Sequence, residues 1–191
     1  MKTILISLLI FLGSLTLQGC TKNLMDTANT VVKAATPINV KYPPNDNELS
    51  LAAIDNIISS DLYQKDMRIN IVVNDGHILL IGQVDTQENS KKIEEALLKL
   101  DGVKEVYNQL RITKSIGFYQ QMKDGWTTAK VKTQLAKHDK INPFKIKVVT
   151  ENSEVFLVGS VTKEMAYYAT FITRQVTGVG RVIKVFELIP E

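Results

Sequence analysis

Ile78-Leu79-Leu80-Ile81-Gly82-Gln83-Val84 is answered 77 positions later by Val155-Phe156-Leu157-Val158-Gly159-Ser160-Val161. Both are nearly continuous apolar runs of strand length, with glycine at the same place. The match extends outward at the same offset. Arg68-Ile69-Asn70-Ile71 falls on Lys145-Ile146-Lys147-Val148, and Leu51, Ile54 and Ile58 fall on Thr128, Val131 and Leu135. After one deletion, Gly102-Val103 falls on Gly178-Val179 and Val106 on Val182. So many matches mark a duplication. The period is longer than solenoid repeats, so the chain reads as two small domains.

Each copy carries the same signals. A helix is expected at about 49–61 and again at 127–138. Strands follow at 67–73 and 77–84, repeated at 144–150 and 154–161. Asn74-Asp75-Gly76 is a hairpin turn, since glycine supplies the positive φ such turns need; Asn152-Ser153 is its weaker counterpart. A second helix is expected at 86–100 and 163–176, with Ile93, Leu97 and Leu100 on one side, and Met165, Ala169, Ile172 and Val176 in the second copy. Gly102 and Gly178 stop these helices, and a last strand (103–112, 180–188) closes each copy. A strand–helix–strand step pairs its strands in parallel. The expected fold class is α+β: two tandem αββαβ units, each a three-stranded mixed sheet packed against two helices. Gly82 and Gly159 are expected to permit close backbone packing.

The composition is 45% apolar with a net charge of +3. That is globular, and too weakly basic for a nucleic-acid binder driven by bulk charge. The charge is unevenly shared. Residues 47–113 hold 7 Lys/Arg and 11 Asp/Glu, whereas residues 123–191 hold 11 and 7. A duplicated fold with opposite charge balances of −4 and +4 implies divided labour. The two histidines lack companions at metal-ligand spacing, and Cys20 is the only cysteine. No cofactor or metal is expected. No nucleophile elbow or phosphate loop occurs, so no enzymatic activity is expected.

The first 19 residues read as an export signal, with Lys2 before an apolar run from Ile4 to Leu12. Leu17-Gln18-Gly19-Cys20 resembles a bacterial lipobox, making Cys20 the expected lipid anchor; Gln18 departs from the usual residue there. Residues 20–46 read as a lipidated tether containing Pro37, Pro43 and Pro44. A flexible coil of that length spans roughly 25–30 Å. The first domain is assigned to 47–114, a linker to 115–123 and the second domain to 124–191.

The only tryptophan, Trp126, opens the second copy's first helix. At about 100° per residue, Thr128, Val131 and Leu135 share one stripe, while Trp126, Lys130, Thr133 and Lys137 lie nearly opposite. Two readings stay open. Trp126 either closes the helix against the sheet, the usual fate of tryptophan, or joins Lys130, Lys132 and Lys137 on an interfacial face. Leu49, its counterpart at the same offset, fits the first reading; helical phase favours the second. Phe118-Tyr119 either extend that face or pack between domains. Tyr167, Tyr168 and Phe171 form another aromatic cluster, expected to pack against the first domain rather than to bind a ligand.

Together the lipobox, the duplication, Arg68-Ile69-Asn70, Leu79-Leu80-Ile81-Gly82-Gln83, Glu105-Val106-Tyr107-Asn108, Trp126 with Lys130-Val131, and Thr150 to Leu157 resemble the dual-BON-domain lipoproteins. Gln18 occurs in that family too. Ser153 stands where the family has glycine, leaving the shape of the second turn open. The resemblance implies a lipid-anchored outer-membrane protein facing the periplasm, an expectation that Thr21, in place of a retaining Asp, supports. It also implies support of envelope integrity, gathering at the division site, and a link to the machinery that inserts outer-membrane β-barrels. It places binding of anionic phospholipids (phosphatidylglycerol, cardiolipin) on the second BON domain's first helix. The residues so marked are Trp126, Thr127, Lys130, Thr133, Gln134 and Lys137, joined by Phe118 and Tyr119. The other function class is a protein-interaction adaptor docking on barrel-assembly or cell-wall partners, with lipid contact incidental.

Overall fold

The computed structural model describes residues 45–60 and 62–190. The expected export signal, Cys20 and all but the last two residues of the tether lie outside the described residues. From there the chain runs α1 (Asp46–Ser59), β1 (Arg68–Asn74), β2 (His77–Val84), α2 (Gln87–Leu97) and β3 (Glu105–Ile112). The second copy follows as α3 (Phe118–Ala136), a 3-10 turn (Pro143–Lys145), β4 (Lys147–Glu151), β5 (Glu154–Val161), α4 (Lys163–Arg174) and β6 (Arg181–Leu188). Polar side chains start three of the helices, each satisfying a first-turn amide. Asn45 and Glu48 form a reciprocal box at α1, and Thr86 and Thr162 cap α2 and α4.

Two three-stranded sheets result, ordered β1-β2-β3 and β4-β5-β6. In each, the hairpin is antiparallel and the strand after the crossover helix is parallel to the central one. This is the expected αββαβ topology, twice. The close approach at the two strand glycines is real. A Cβ on Gly82 would lie 2.0 Å from the Arg68 carbonyl oxygen, and one on Gly159 equally near that of Lys145. The second hairpin turn has the shape of the first without a glycine: Asn152 and Ser153 take φ of +49° and +64°, beside +48° and +78° for Asp75 and Gly76. The buried Asp124 carboxylate offsets that strain. It accepts from Asn152 N at 2.7 Å and Ser153 N at 2.9 Å.

The helical phase of α1 differs from the sequence reading by one residue, whereas in α3 Val131 and Leu135 are buried as expected and Thr127 takes the place of Thr128. In α1 the buried stripe is Leu49, Ala53 and Ile57; Leu51, Ile54 and Ile58 are exposed. In α3 it is Thr127, Val131 and Leu135. The first helices therefore correspond at an offset of 78, because the second copy has one residue fewer before its first strand. Leu49 is equivalent to Thr127, and the counterpart of Trp126 is Glu48. The helix expected from 127 starts earlier: α3 begins at Phe118, about two and a half turns before, within the segment assigned as the linker.

Each domain has its own core between sheet and helices, one around Leu80 and Ile93, the other around Leu157 and Ala169. A third core joins them, in which Val72, Leu79 and Ile81 pack on Phe156 and Val158. The sheets thus meet face to face, with helices outside. Burial at roughly 25 cal/mol per Å² makes such a face a substantial tie. A polar set borders it. Glu151, 3% exposed, accepts from Arg68 Nε at 3.1 Å, Asn70 Nδ2 at 2.8 Å and Gln83 Nε2 at 2.9 Å. At the far end Lys147 Nζ donates to Asp46 at 2.8 Å and to the Val73 carbonyl at 2.5 Å.

Candidate functional site

α3 has 19 residues, a length of roughly 28 Å. No side chain caps its first turn at Gly117. Its start is fixed instead by the first domain. Gln83 Oε1 accepts from Ile116 N at 3.2 Å, and Arg68 Nη1 donates to Gln121 Oε1 at 3.0 Å. Gln121 in turn donates to the Ile116 carbonyl at 2.9 Å. Asp124, tied to the β4–β5 turn, holds the next turn inward. That tertiary support carries the helix through Gly125, whose glycine costs about 1 kcal/mol in a helix interior.

With the inner face pinned, the outer face is set by period. Phe118, Met122 and Trp126 recur every four residues, and Tyr119 lies one helical row beside them. They are 76%, 48%, 68% and 72% exposed in that order. This settles the open reading of Trp126, which is not core, and of Phe118 and Tyr119, which do not pack between the domains. Lys123, whose ammonium lies 4.8 Å above the Tyr119 ring, stands on the same side, as do Lys130, Thr133 and the C-capping Lys137. Gln134 is exposed at the edge of this face. Lys130 Nζ is partly engaged, donating to the Thr177 carbonyl at 2.5 Å. The Thr133 hydroxyl donates to its own helix at Ala129 O, 2.9 Å away.

Thr127 does not belong to the face. It is 4% exposed, and a Cβ on Gly178 would lie 2.7 Å from its hydroxyl oxygen. At 100° from Trp126 it turns toward the loop after α4. Met122 and Lys123 are not among the residues marked from sequence, although the 118/122/126 spacing contains them, because the helix was expected only from 127. The arrangement is an apolar ridge flanked by cations. α1 offers no equivalent: it carries Asp46, Glu48 and Asp55 and no lysine.

The aromatic cluster on α4 also departs from expectation. Tyr168 packs into its own domain's core and against His138, with ring centroids 4.8 Å apart. Tyr167 and Phe171 are exposed, and the groove they line beside β6 is walled by second-domain residues. Among the described residues no cluster of metal-ligating side chains occurs, and no helix is long and apolar enough to cross a membrane.

Comparison with known proteins agrees with this architecture. The family model for the BON domain matches residues 46–114 and 123–190. The chain belongs to the BON-domain family, with two copies of the domain. It is 37% identical over 183 residues to "Outer membrane lipoprotein DolP" of Haemophilus influenzae, covering 94% of each chain. It is 35% identical to the "21 kDa hemolysin" of Actinobacillus pleuropneumoniae, over 70% of this chain and 69% of that one. Among solved structures, CdsD of the Chlamydia trachomatis type III secretion system aligns over 74% of this chain and 92% of its own. Its 13% identity and TM-score of 0.31 bear no weight. The end-to-end match makes the chain a dual-BON member of the DolP family, located in the outer membrane as a lipoprotein facing the periplasm.

Proposed function

We propose that the second BON domain binds anionic phospholipid through the outer face of α3, and that this contact locates the anchored protein by membrane composition. The observation that carries the reading is the exposed ridge of Phe118, Tyr119, Met122 and Trp126 beside Lys123, Lys130 and Lys137. Indole and phenol rings sit well at the headgroup level. Each lysine near an anionic surface adds about 1 kcal/mol. Neither part suffices alone, since both are exposed and the electrostatic share is screened within about 10 Å at 0.1 M salt. Cys20 is the proposed acyl anchor that keeps the domain within reach. Phosphatidylglycerol and cardiolipin are the fitting ligands. Support of envelope integrity and gathering at the division site follow if such lipids concentrate there, and the barrel-insertion machinery is the protein partner the family likeness favours. The reading needs no catalytic step.

The test is vesicle co-sedimentation of residues 20–191 carrying Cys20→Ala, so that no acyl chain binds on its own. Trp126→Glu is expected to lower binding to phosphatidylglycerol vesicles at least tenfold while the circular dichroism stays native, because the indole is not core. Lys130→Glu is expected to weaken binding, more so at low salt. A folded Trp126→Glu chain that binds as well as the parent sinks the proposal.

A further inference from the structure

The groove beside β6 is independent of the α3 face. It has a volume of about 550 Å³ and lies between α4 and the strand at the edge of the second sheet. Tyr167, Phe171, Phe186 and Leu188 give it apolar walls, and Tyr167 and Phe171 stack with centroids 6.2 Å apart. Lys163, Arg174 and Lys184 stand around it, and among the described residues no carboxylate lines it. Among the described residues none of these three cations has a salt-bridge partner. Among the described residues β6 pairs only with β5, which leaves its outer backbone edge unpaired.

The first copy shows what the fold does when this place is closed. There Asn108 Nδ2, on β3, reaches across to α2 and donates to Ser90 Oγ and Glu94 Oε2, both at 2.9 Å. The helices α2 and α4 correspond through their capping threonines, Thr86 and Thr162, and the strands through Val106 and Val182. Ser90, Glu94 and Asn108 therefore become Ala166, Thr170 and Lys184. The clasp is gone, and its three positions line the groove. Next to it, the solvated ion pair Lys91–Glu95 becomes the stacked pair Tyr167–Phe171.

We propose that this groove receives an extended acidic segment of a partner protein, added as a strand along β6. A free strand edge beside a helix suits strand addition, where the main chain supplies affinity and alternate side chains supply specificity. Side chains on the helix side of the incoming strand would meet Tyr167 and Phe171 in the middle and the three cations around them. Carboxylates interspersed with aliphatic residues satisfy both.

The experiment pans a random octapeptide library against residues 20–191 carrying Cys20→Ala, then measures binding of synthesised winners and amide exchange with and without them. Enriched peptides are expected to be acidic, with apolar residues at alternate positions, and to slow exchange along Arg181–Leu188. Binding is expected to fall at least tenfold in Lys184→Glu. The same loss is expected in the double variant Tyr167→Lys with Phe171→Glu, which restores the charge pair of the first copy at exposed positions. Both variants should keep their phosphatidylglycerol vesicle binding, so failure here is distinct from failure of the lipid reading. No enrichment over bare support, basic winners, unchanged exchange at β6, or binding that survives both variants each overturns the proposal. Phosphatidylglycerol vesicles that protect β6 without peptide also overturn it, because the groove would then belong to the membrane.

Discussion

Glu151→Ala tests whether the two domains act as one body. The carboxylate is buried at the join and accepts from Arg68, Asn70 and Gln83, all in the first domain. Gln83 is 1% exposed, and its amide would be left with an unpaired N–H, a cost of about 1–3 kcal/mol. Asn70, half-buried, adds about 1 kcal/mol on the same reasoning. Arg68 is 30% exposed in its side chain and keeps its bond to Gln121, so solvent limits its share to about 0–1 kcal/mol. Relief of the carboxylate's own desolvation offsets part of this. A net loss of about 2–4 kcal/mol follows, at or just below the usual cost of breaking a buried pair from one side. Urea unfolding reads it. With a slope of about 2 kcal/mol per molar, the middle of the usual range, the midpoint is expected to drop by roughly 1–2 M. Far-UV circular dichroism is the right probe, because Trp126 is already exposed in the folded chain and its emission would change little. Glu151→Gln should cost at least half as much, since its NH2 would face donors. A loss below about 0.5 kcal/mol with an unchanged slope would refute the reasoning, leaving the polar join without energetic weight.

Three shorter predictions bear on other parts of the chain. Gly125→Ala should stabilise the fold by about 0.5–1 kcal/mol, because a Cβ there meets nothing within 4 Å; calorimetry should show a rise of about 2–4 °C. Cys20→Ala should release the protein from the outer membrane on fractionation, and unchanged residence there would remove the proposed anchor. Tyr107 donates to Glu105 at 2.7 Å, and this bond holds its phenol above the ordinary value of 10.0. Ultraviolet titration should show Glu105→Gln bringing it back down, since the carboxylate acceptor favours the protonated phenol.

The fold was legible because its signals are local and doubled. Apolar strand runs, a glycine that cannot carry a side chain against a neighbouring carbonyl, and a positive-φ glycine in the turn between each crossover helix and the last strand recur at nearly constant spacing. What failed to show was phase and extent. Leu51, Ile54 and Ile58 look as apolar as Leu49, Ala53 and Ile57, and only packing on the sheet decides which row is inside. The early start of α3 was hidden because its support is tertiary: Arg68 and Gln83 hold it from some 30 to 50 residues away. Seven of the eight proposed lipid-contact residues lie on or beside the exposed face. Thr127 fell out because it stands at the edge of that face, where a threonine serves either side. The groove on α4 was not legible, since an aromatic cluster on a helix reads as a packing surface for the other domain until the neighbouring strand is placed.

The copies explain one another by their differences. Both need an acidic side chain near the first helix to hold the hairpin turn, and both have one: Asp46 accepts from Gly76 N at 3.4 Å, and Asp124 accepts from two amides. In the first copy that carboxylate also takes Lys147 from the second. In the second copy the hairpin end carries Glu151, which takes Arg68 from the first. Each domain therefore supplies a cation to a carboxylate near the other's turn. Arg68 does a second thing, bonding Gln121 inside α3. The anionic first domain, without an exposed cationic helix of its own, thus fixes the two turns that carry Phe118, Tyr119 and Met122. A duplication that kept both folds but weighted the cations and exposed aromatics toward one copy leaves the other as the support that aims them. On this view, loosening the join at Glu151 should weaken vesicle binding as well as stability, although no residue of the join faces the lipid.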